Sequence, residues 1–195
     1  MARRQAFRNM ALIGMPGAGK STVGVLLAKH WALAFTDTDL LIQTGEGRHL
    51  AQIIGRLGID GFCDLESRYL EGLAETSGVI ATGGSVVYRP AGMARLQALG
   101  PVVYLDVPPP VLAGRLGDLD RRGVIRAPGQ DLADLHRERD PLYRRYADHV
   151  VDCGDLTPER VALRIMATLG VDVAADSLFS DRAVLKGDAP MDLSV

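Results

Sequence analysis

Short apolar runs alternate along the chain with longer stretches in which apolar residues recur every three or four positions. Met10–Ile13, Leu33–Phe35, Val79–Ala81, Val102–Leu105 and His149–Asp152 are runs of strand length. Lys20–Trp31 places Val23, Leu26, Leu27 and Trp31 on one helical face, which makes Trp31 a core residue rather than a ligand platform. Helical spacing returns in Leu50–Leu57, Phe62–Glu75, Pro90–Leu99, Pro109–Leu116 and Pro158–Leu169. Asp131–Tyr146 predicts a charged helix interrupted by Pro141, since proline lacks the N–H that a helix interior uses. Asp118–Gln130 is a polar loop. Strands alternating with helices predict an α/β fold of three layers, α/β/α, with a parallel sheet of about five strands covered on both faces. The pattern fades after residue 170, where the tail carries five Asp against two basic residues. The expected division is therefore a domain over 1–170 and a tail over 171–195, partly disordered.

Composition narrows the class without identifying the chemistry. The 195 residues are 47% hydrophobic and 24% charged with a net charge of −2, which excludes wholesale disorder and a disulfide scaffold. No apolar run approaches the ~20 residues needed to cross a bilayer, so no membrane partner is expected. The basic start followed by Met10–Ile13 is too short in its apolar part for a signal sequence, and serves better as a first strand. No basic stripe marks a nucleic-acid footprint. Cys63 and Cys153 lie far apart without a CxxC spacing, which suits free thiols in a reducing cytoplasm. His30, His49, His136 and His149 have no metal-ligand spacing and are expected to be structural. Arg outnumbers Lys nineteen to three, and Arg suits bidentate carboxylate and phosphate contacts; genomic base composition accounts for the same bias. Oligomeric state is not encoded in any visible pattern, and a monomer is expected.

The strongest chemical signal is Gly14-Met15-Pro16-Gly17-Ala18-Gly19-Lys20-Ser21, which fits G-x-x-x-x-G-K-[ST] between a predicted strand and a predicted helix. Glycines let the backbone curl so that N–H groups converge on phosphate oxygens, and the helix start adds its positive dipole end. Lys20 brings a cation to the β- and γ-phosphates, and the Ser21 hydroxyl is a ligand for Mg²⁺. A guanine-selective Asn-Lys-x-Asp loop is impossible, because Asn9 precedes the phosphate loop and no other Asn exists. ATP follows by elimination.

The acids that would accompany the phosphates have two candidate locations. Phe35-Thr36-Asp37-Thr38-Asp39 follows a predicted strand at the carboxyl edge of the sheet, where ligands of open α/β folds bind. One carboxylate would support Mg²⁺ and the other would orient or deprotonate a hydroxyl. The same two aspartates are equally suited to capping a helix over Leu40–Thr44. Asp106, closing the apolar run from Val102, is the alternative magnesium acid, as in a P-loop ATPase or a nucleotide-binding regulatory module with no small-molecule acceptor. Arg144-Arg145 reads as a solvated face.

An ordered series of motifs resembles the shikimate kinase family, within the nucleoside-monophosphate-kinase-like P-loop NTPase fold. The phosphate loop is followed by Phe35-x-Asp37-x-Asp39, Gly58, Phe62-x-x-x-Glu66, Val79 to Gly84, Val102 to Leu105, a lid loop near Arg121–Ile125, and Arg139-x-Pro-Leu-Tyr143 before Ala147-Asp148. The resemblance spans roughly residues 8 to 169 and implies transfer of a phosphoryl group from Mg–ATP to a hydroxyl of a small carboxylated alcohol, with shikimate the first expectation. By matching position it implies that Gly14, Gly17, Ala18, Gly19, Lys20, Ser21 and Thr22 bind nucleotide and that Arg115 faces the adenine. It implies Ser21 and Asp37 at the metal, and Asp39, Gly83, Gly84 and Arg139 at the acceptor. Lys20, Asp39 and Arg122 would be catalytic, Arg122 reaching from the lid with Gly117, Gly123 and Gly129 as hinges. The chain departs from the family at Cys63, where a substrate-binding Arg is usual, at Ser85, where a third Gly is usual, and at Gly123, where Pro is usual. Arg56 or Arg68 is the candidate replacement for the missing guanidinium. These changes imply an acceptor pocket that has drifted, taking shikimate less well or a related small alcohol.

Overall fold

The computed structural model describes residues 8–75, 78–116, 124–127 and 129–170. Five strands are present: β1 (Asn9–Ile13), β2 (Ala34–Asp37), β3 (Gly78–Ala81), β4 (Val102–Asp106) and β5 (His149–Asp152). They form one parallel sheet in the order β2-β3-β1-β4-β5. Seven helices connect and cover it among the described residues: α1 (Lys20–Trp31), α2 (Thr38–Glu46), α3 (Leu50–Glu71), α4 (Pro90–Leu99), α5 (Pro109–Arg115), α6 (Leu132–Tyr146) and α7 (Pro158–Thr168). A 3-10 turn spans Val86–Tyr88.

β1 is central and buried along its whole length, which explains a run without polar alternation. Helices α1 and α7 pack together on one face, while α4 with α3, and α6, cover the other. The main core joins Leu12, Ile13, Val79, Val103 and Tyr104 of the sheet to Val23 and Leu27 of α1 and Ile165 and Met166 of α7. Each fully buried aliphatic side chain contributes about 1.5–3 kcal/mol. A second cluster under α2 and α3 contains Ile42, Ile53, Phe62, Cys63, Leu65 and Ile125. Both cysteines are buried and free.

The strand register sets up the functional edge. Leu12 and Asp37 both lie beside Ala81 or its immediate ladder position, so β1, β2 and β3 end at one level. The segments that leave those three strands therefore open side by side.

Three boundaries differ from expectation. Asp37 belongs to β2 and at once caps α2, because its side chain reaches two helical N–H groups. Leu50–Glu71 is two helical stretches meeting at a kink, as expected: Gly58, with a φ of 70° and a ψ of 179°, leaves the helical region, and the second stretch starts before Phe62 and ends at Glu71 rather than reaching Glu75. Helix α6 runs through Pro141 without interruption. Leu135, Arg139 and Tyr143, spaced four apart, stay buried on one face, and that burial outweighs the lost N–H. Among the described residues no helix is long and apolar enough to cross a membrane. Residues 171–195, where the tail was expected, lie outside the described residues.

Candidate active site

The segment after β1 builds a cradle. Gly17 has a φ of 78°, and a Cβ there would stand 2.6 Å from Leu116 Cγ, so both conformation and space demand glycine. Gly19 has a φ of 91° and forms the N-cap of α1. The Ala18 N–H donates to the Met15 carbonyl at 3.1 Å, which curls the loop. Lys20 Nζ donates to the Gly14 and Met15 carbonyls at 2.7 and 2.9 Å, pinning the ammonium across the loop. Burial lowers the Lys20 pKa from 10.5 to about 8, against the attraction of Asp39. A phosphate arriving there restores the missing countercharge. A cavity of about 660 Å³ opens above the loop, lined by Gly17, Gly19, Lys20, Ser21 and Thr22 on this side. Gly14 and Ala18 shape the loop from beneath and do not line it.

The end of β2 and the segment after it bring Asp39 to the cavity wall and Asp37, which does not itself line the cavity, to the Ser21 hydroxyl that does. Asp37 Oδ2 accepts from the Ser21 hydroxyl at 2.6 Å. Its Oδ1 accepts from the N–H groups of Asp39 and Leu40 at 3.0 and 3.3 Å. One oxygen of Asp37 thus caps α2 and the other meets the Ser21 hydroxyl. A serine hydroxyl and a carboxylate, joined at the N-terminus of α1 beside the phosphate cradle, are the hard oxygen donors that Mg²⁺ takes. Asp39 lines the cavity and faces Lys20 electrostatically. Burial raises its pKa from 3.8 to about 6; Lys20 opposes the shift and Asp37 reinforces it.

The segment after β3 forms the opposite wall. Gly83 N–H donates to Thr38 Oγ1 at 3.2 Å, locking the β2 and β3 ends together. A Cβ on Gly83 would stand 2.3 Å from Glu66 Oε1 and 2.8 Å from Asp39 Oδ1, so the bare backbone lets two carboxyl groups converge. Glu66 is buried, and its Oε2 accepts from the Ser85 hydroxyl at 2.7 Å while Oε1 has no partner among the described residues. Burial pushes Glu66 from 4.5 up to about 7. Arg139 is 0% exposed, which removes it from the surface. Its Nη1 lies 2.9 Å from where a Cβ on Gly84 would be, and the Tyr143 hydroxyl donates to the Gly84 carbonyl at 2.6 Å. Gly83, Gly84, Ser85 and Arg139 all line the cavity. Arg115 lines its far end with Leu156, Thr157 and Pro158, and donates to the Leu156 carbonyl at 3.3 Å.

Other expectations fare differently. Arg122, with Gly117 and Gly123, lies outside the described residues. Asp106 is not at the cavity; its carboxylate pairs with Arg144, which also binds Asp140 at 2.9 Å, so Asp106 is spent as a structural ion pair and Arg144 is not merely solvated. Asp106, Asp140 and His136 do face one another, a grouping the His spacing did not suggest, although both carboxylates already have partners. Neither Arg56 nor Arg68 replaces the guanidinium absent at position 63: both are exposed and neither lines the cavity, and Arg56 pairs with Glu46 at 3.6 Å. Cys63 is buried, with its thiol pushed up to about 11, and lines a separate cavity of about 260 Å³ beside Tyr88. Sequence reasoning missed Ser85 as a partner of Glu66 and Tyr88 as a partner of Arg139. The only trace was Ser85 standing where the resemblance expects Gly.

Comparisons with known proteins agree with this geometry. The family model described as Shikimate kinase matches residues 16–170. A shikimate kinase of Pseudomonas syringae pv. tomato is 39% identical over 165 residues, covering 83% of this chain and 96% of the relative. One from Aromatoleum aromaticum is 43% identical over 152 residues, covering 76% and 87%. The solved structure of shikimate kinase from Acinetobacter baumannii in complex with shikimate superposes with a TM-score of 0.78 at 31% identity, covering 85% of this chain and 94% of that one.

Proposed function

The chain belongs to the shikimate kinase family, and we propose on that premise that it moves the γ-phosphoryl group of Mg–ATP to a hydroxyl of shikimate. It is a small-molecule kinase by this membership, and the ATPase reading through Asp106 is set aside. The observation that carries the acceptor side is the single cavity in which Lys20 of the phosphate loop faces Asp39 and Arg139. Residues 1–170 act as the P-loop kinase domain of a monomer.

The loop N–H groups and Lys20 hold the phosphates, with Arg115 at the nucleoside end. Ser21 and Asp37 would hold Mg²⁺, which when bound offsets phosphate charge. Arg139 pairs with the acceptor carboxylate, and the backbone at Gly83 and Gly84 lets the acceptor ring approach closely. Asp39 takes the proton of the acceptor hydroxyl as its oxygen bonds to the γ-phosphorus. The bond from that phosphorus to the bridging oxygen breaks, and ADP carries the leaving electron pair beside Lys20. Arg122 would neutralise charge on the transferring group. Most of the acceleration in such a site comes from positioning and electrostatics.

The acceptor side carries one buried guanidinium and a Cys at position 63, so shikimate is held with one charged contact fewer than the family pattern implies. Loss of such a contact weakens affinity about ten- to a hundredfold. An ADP-release assay with shikimate, run beside the Pseudomonas syringae relative, tests both points. Shikimate-dependent ADP formation with a KM raised by that factor is expected. ADP release at one rate with and without shikimate would overturn the kinase reading for this acceptor, and an equal KM would overturn the weakened pocket.

A further inference from the structure

We propose that Tyr88 is the positioning residue that aims Arg139 at the acceptor, an inference that rests on the reading of Arg139 given above. A buried guanidinium normally finds a carboxylate, because an uncompensated charge in low dielectric costs several kcal/mol. Arg139 is held differently. Its Nε donates to the Tyr88 hydroxyl at 2.9 Å, and Nη2 donates to the Ile125 carbonyl. The Tyr88 ring lies 5.0 Å from the guanidinium carbon, within cation–π range. None of these direct partners is an anion; Glu66 and Glu138 act on the guanidinium through space, and Tyr143 is a further neighbour.

The Tyr88 hydroxyl is itself oriented. It donates to Glu138 Oε1 at 2.5 Å, which commits its proton and leaves a lone pair for Arg139. Glu138 Oε2 accepts from Gln130 Nε2 at 2.6 Å, and Gln130 Oε1 accepts from the Ala127 N–H at 3.0 Å. Ala127 is two residues from Ile125, whose carbonyl holds the other arm of Arg139. The contacts close into a ring: Arg139, Tyr88, Glu138, Gln130, Ala127, Ile125 and back to Arg139. Among the described residues Nη1 has no hydrogen-bond partner, and it is the atom beside Gly84 at the cavity wall. Tyr88 also borders the 260 Å³ cavity that Cys63 lines. The ring packs against the second hydrophobic cluster, and the hydrogen bonds to Glu138 and Arg139 fix its hydroxyl.

The test is steady-state kinetics with shikimate and ATP varied separately. Tyr88→Phe keeps the aromatic face and removes only the oxygen. It is expected to raise the shikimate KM about tenfold, as expected for losing a hydrogen bond to a charged group, with kcat within about threefold and the ATP KM unchanged. Glu138→Gln, on an exposed side chain, is expected to raise the shikimate KM about threefold without a change in thermal midpoint. In an Arg139→Lys background the Tyr88→Phe effect is expected to vanish, since residues acting through one another are not additive. An unchanged shikimate KM in Tyr88→Phe, equal rises for shikimate and ATP, or full additivity with Arg139→Lys would each overturn the proposal while leaving Arg139 in place. An unchanged shikimate KM in Arg139→Lys would instead overturn the reading of Arg139 and the proposal together.

Discussion

Asp39→Asn separates charge from shape at the centre of the reaction. Asparagine matches aspartate in volume and retains one carbonyl oxygen, so the acceptor still meets a hydrogen-bonding group beside Gly83. What disappears is the proton acceptor. General-base catalysis contributes about 10²–10⁴-fold, equivalent to about 2.7–5.5 kcal/mol of barrier. The structure adds a pH signature, because burial raises Asp39 to about 6. Ionised Asp39 is then about nine-tenths of the population at pH 7 and about one-tenth at pH 5, so kcat/KM for the acceptor should fall nearly tenfold over that interval. Coupled ADP release from pH 5 to 8, with circular dichroism to exclude unfolding, measures both effects. The variant should lose at least two orders of magnitude in kcat at pH 7.5 and should lack the break near 6. Retention of more than a third of wild-type kcat would refute the base assignment. A break near 7 that survives in Asp39→Asn would transfer the role to Glu66, the other buried carboxyl at this wall, which is raised to about 7.

Two further outcomes test the walls of the cavity. In Gly84→Ala the new methyl would sit 2.9 Å from both Arg139 Nη1 and Pro16 Cδ; the flexible guanidinium yields first, so titration calorimetry should show a greater loss of affinity for shikimate, about tenfold, than for ATP. Glu66 carries a stability signature with a definite sign: its folded-state pKa is raised from 4.5 to about 7, so the folded protein binds that proton more tightly than the unfolded chain. Its contribution is therefore complete below about 4.5 and is lost as pH rises towards 7. The thermal midpoint of Glu66→Gln should decline less than that of the wild type between pH 5 and 7.5 and exceed it at the upper end; parallel curves would refute the burial argument.

The phosphate cradle was legible in the sequence because its physics is local. Eight consecutive residues make the turn, the cation and the helix start. The central strands β1, β3 and β4 were legible for a similar reason, since strands covered on both faces need unbroken apolar runs, whereas the edge strands β2 and β5 are short and only partly buried. The acceptor wall was only partly legible. Gly83, Gly84 and Arg139 came through resemblance, and nothing in their local pattern places Arg139 in the interior of a strongly charged helix. Tyr88 meets Arg139 across 51 positions of chain and Ser85 meets Glu66 across 19, pairings that periodicity does not encode. Pro141 misled for the opposite reason: the local rule against proline was outweighed by the buried face of Leu135, Arg139 and Tyr143.

Asp37 divides its two oxygens between a helix start and the Ser21 hydroxyl, and that division leaves the position almost no freedom to vary. Serine or threonine offers a single oxygen and would serve one neighbour or the other. Glutamate reaches a methylene too far to fold back onto the N–H groups of Asp39 and Leu40. Asparagine keeps the cap but turns an amide, without charge, towards Ser21. Under random mutagenesis with selection for growth, codon 37 should stay fixed while that of Leu40, three residues on and 59% exposed, drifts among many polar choices.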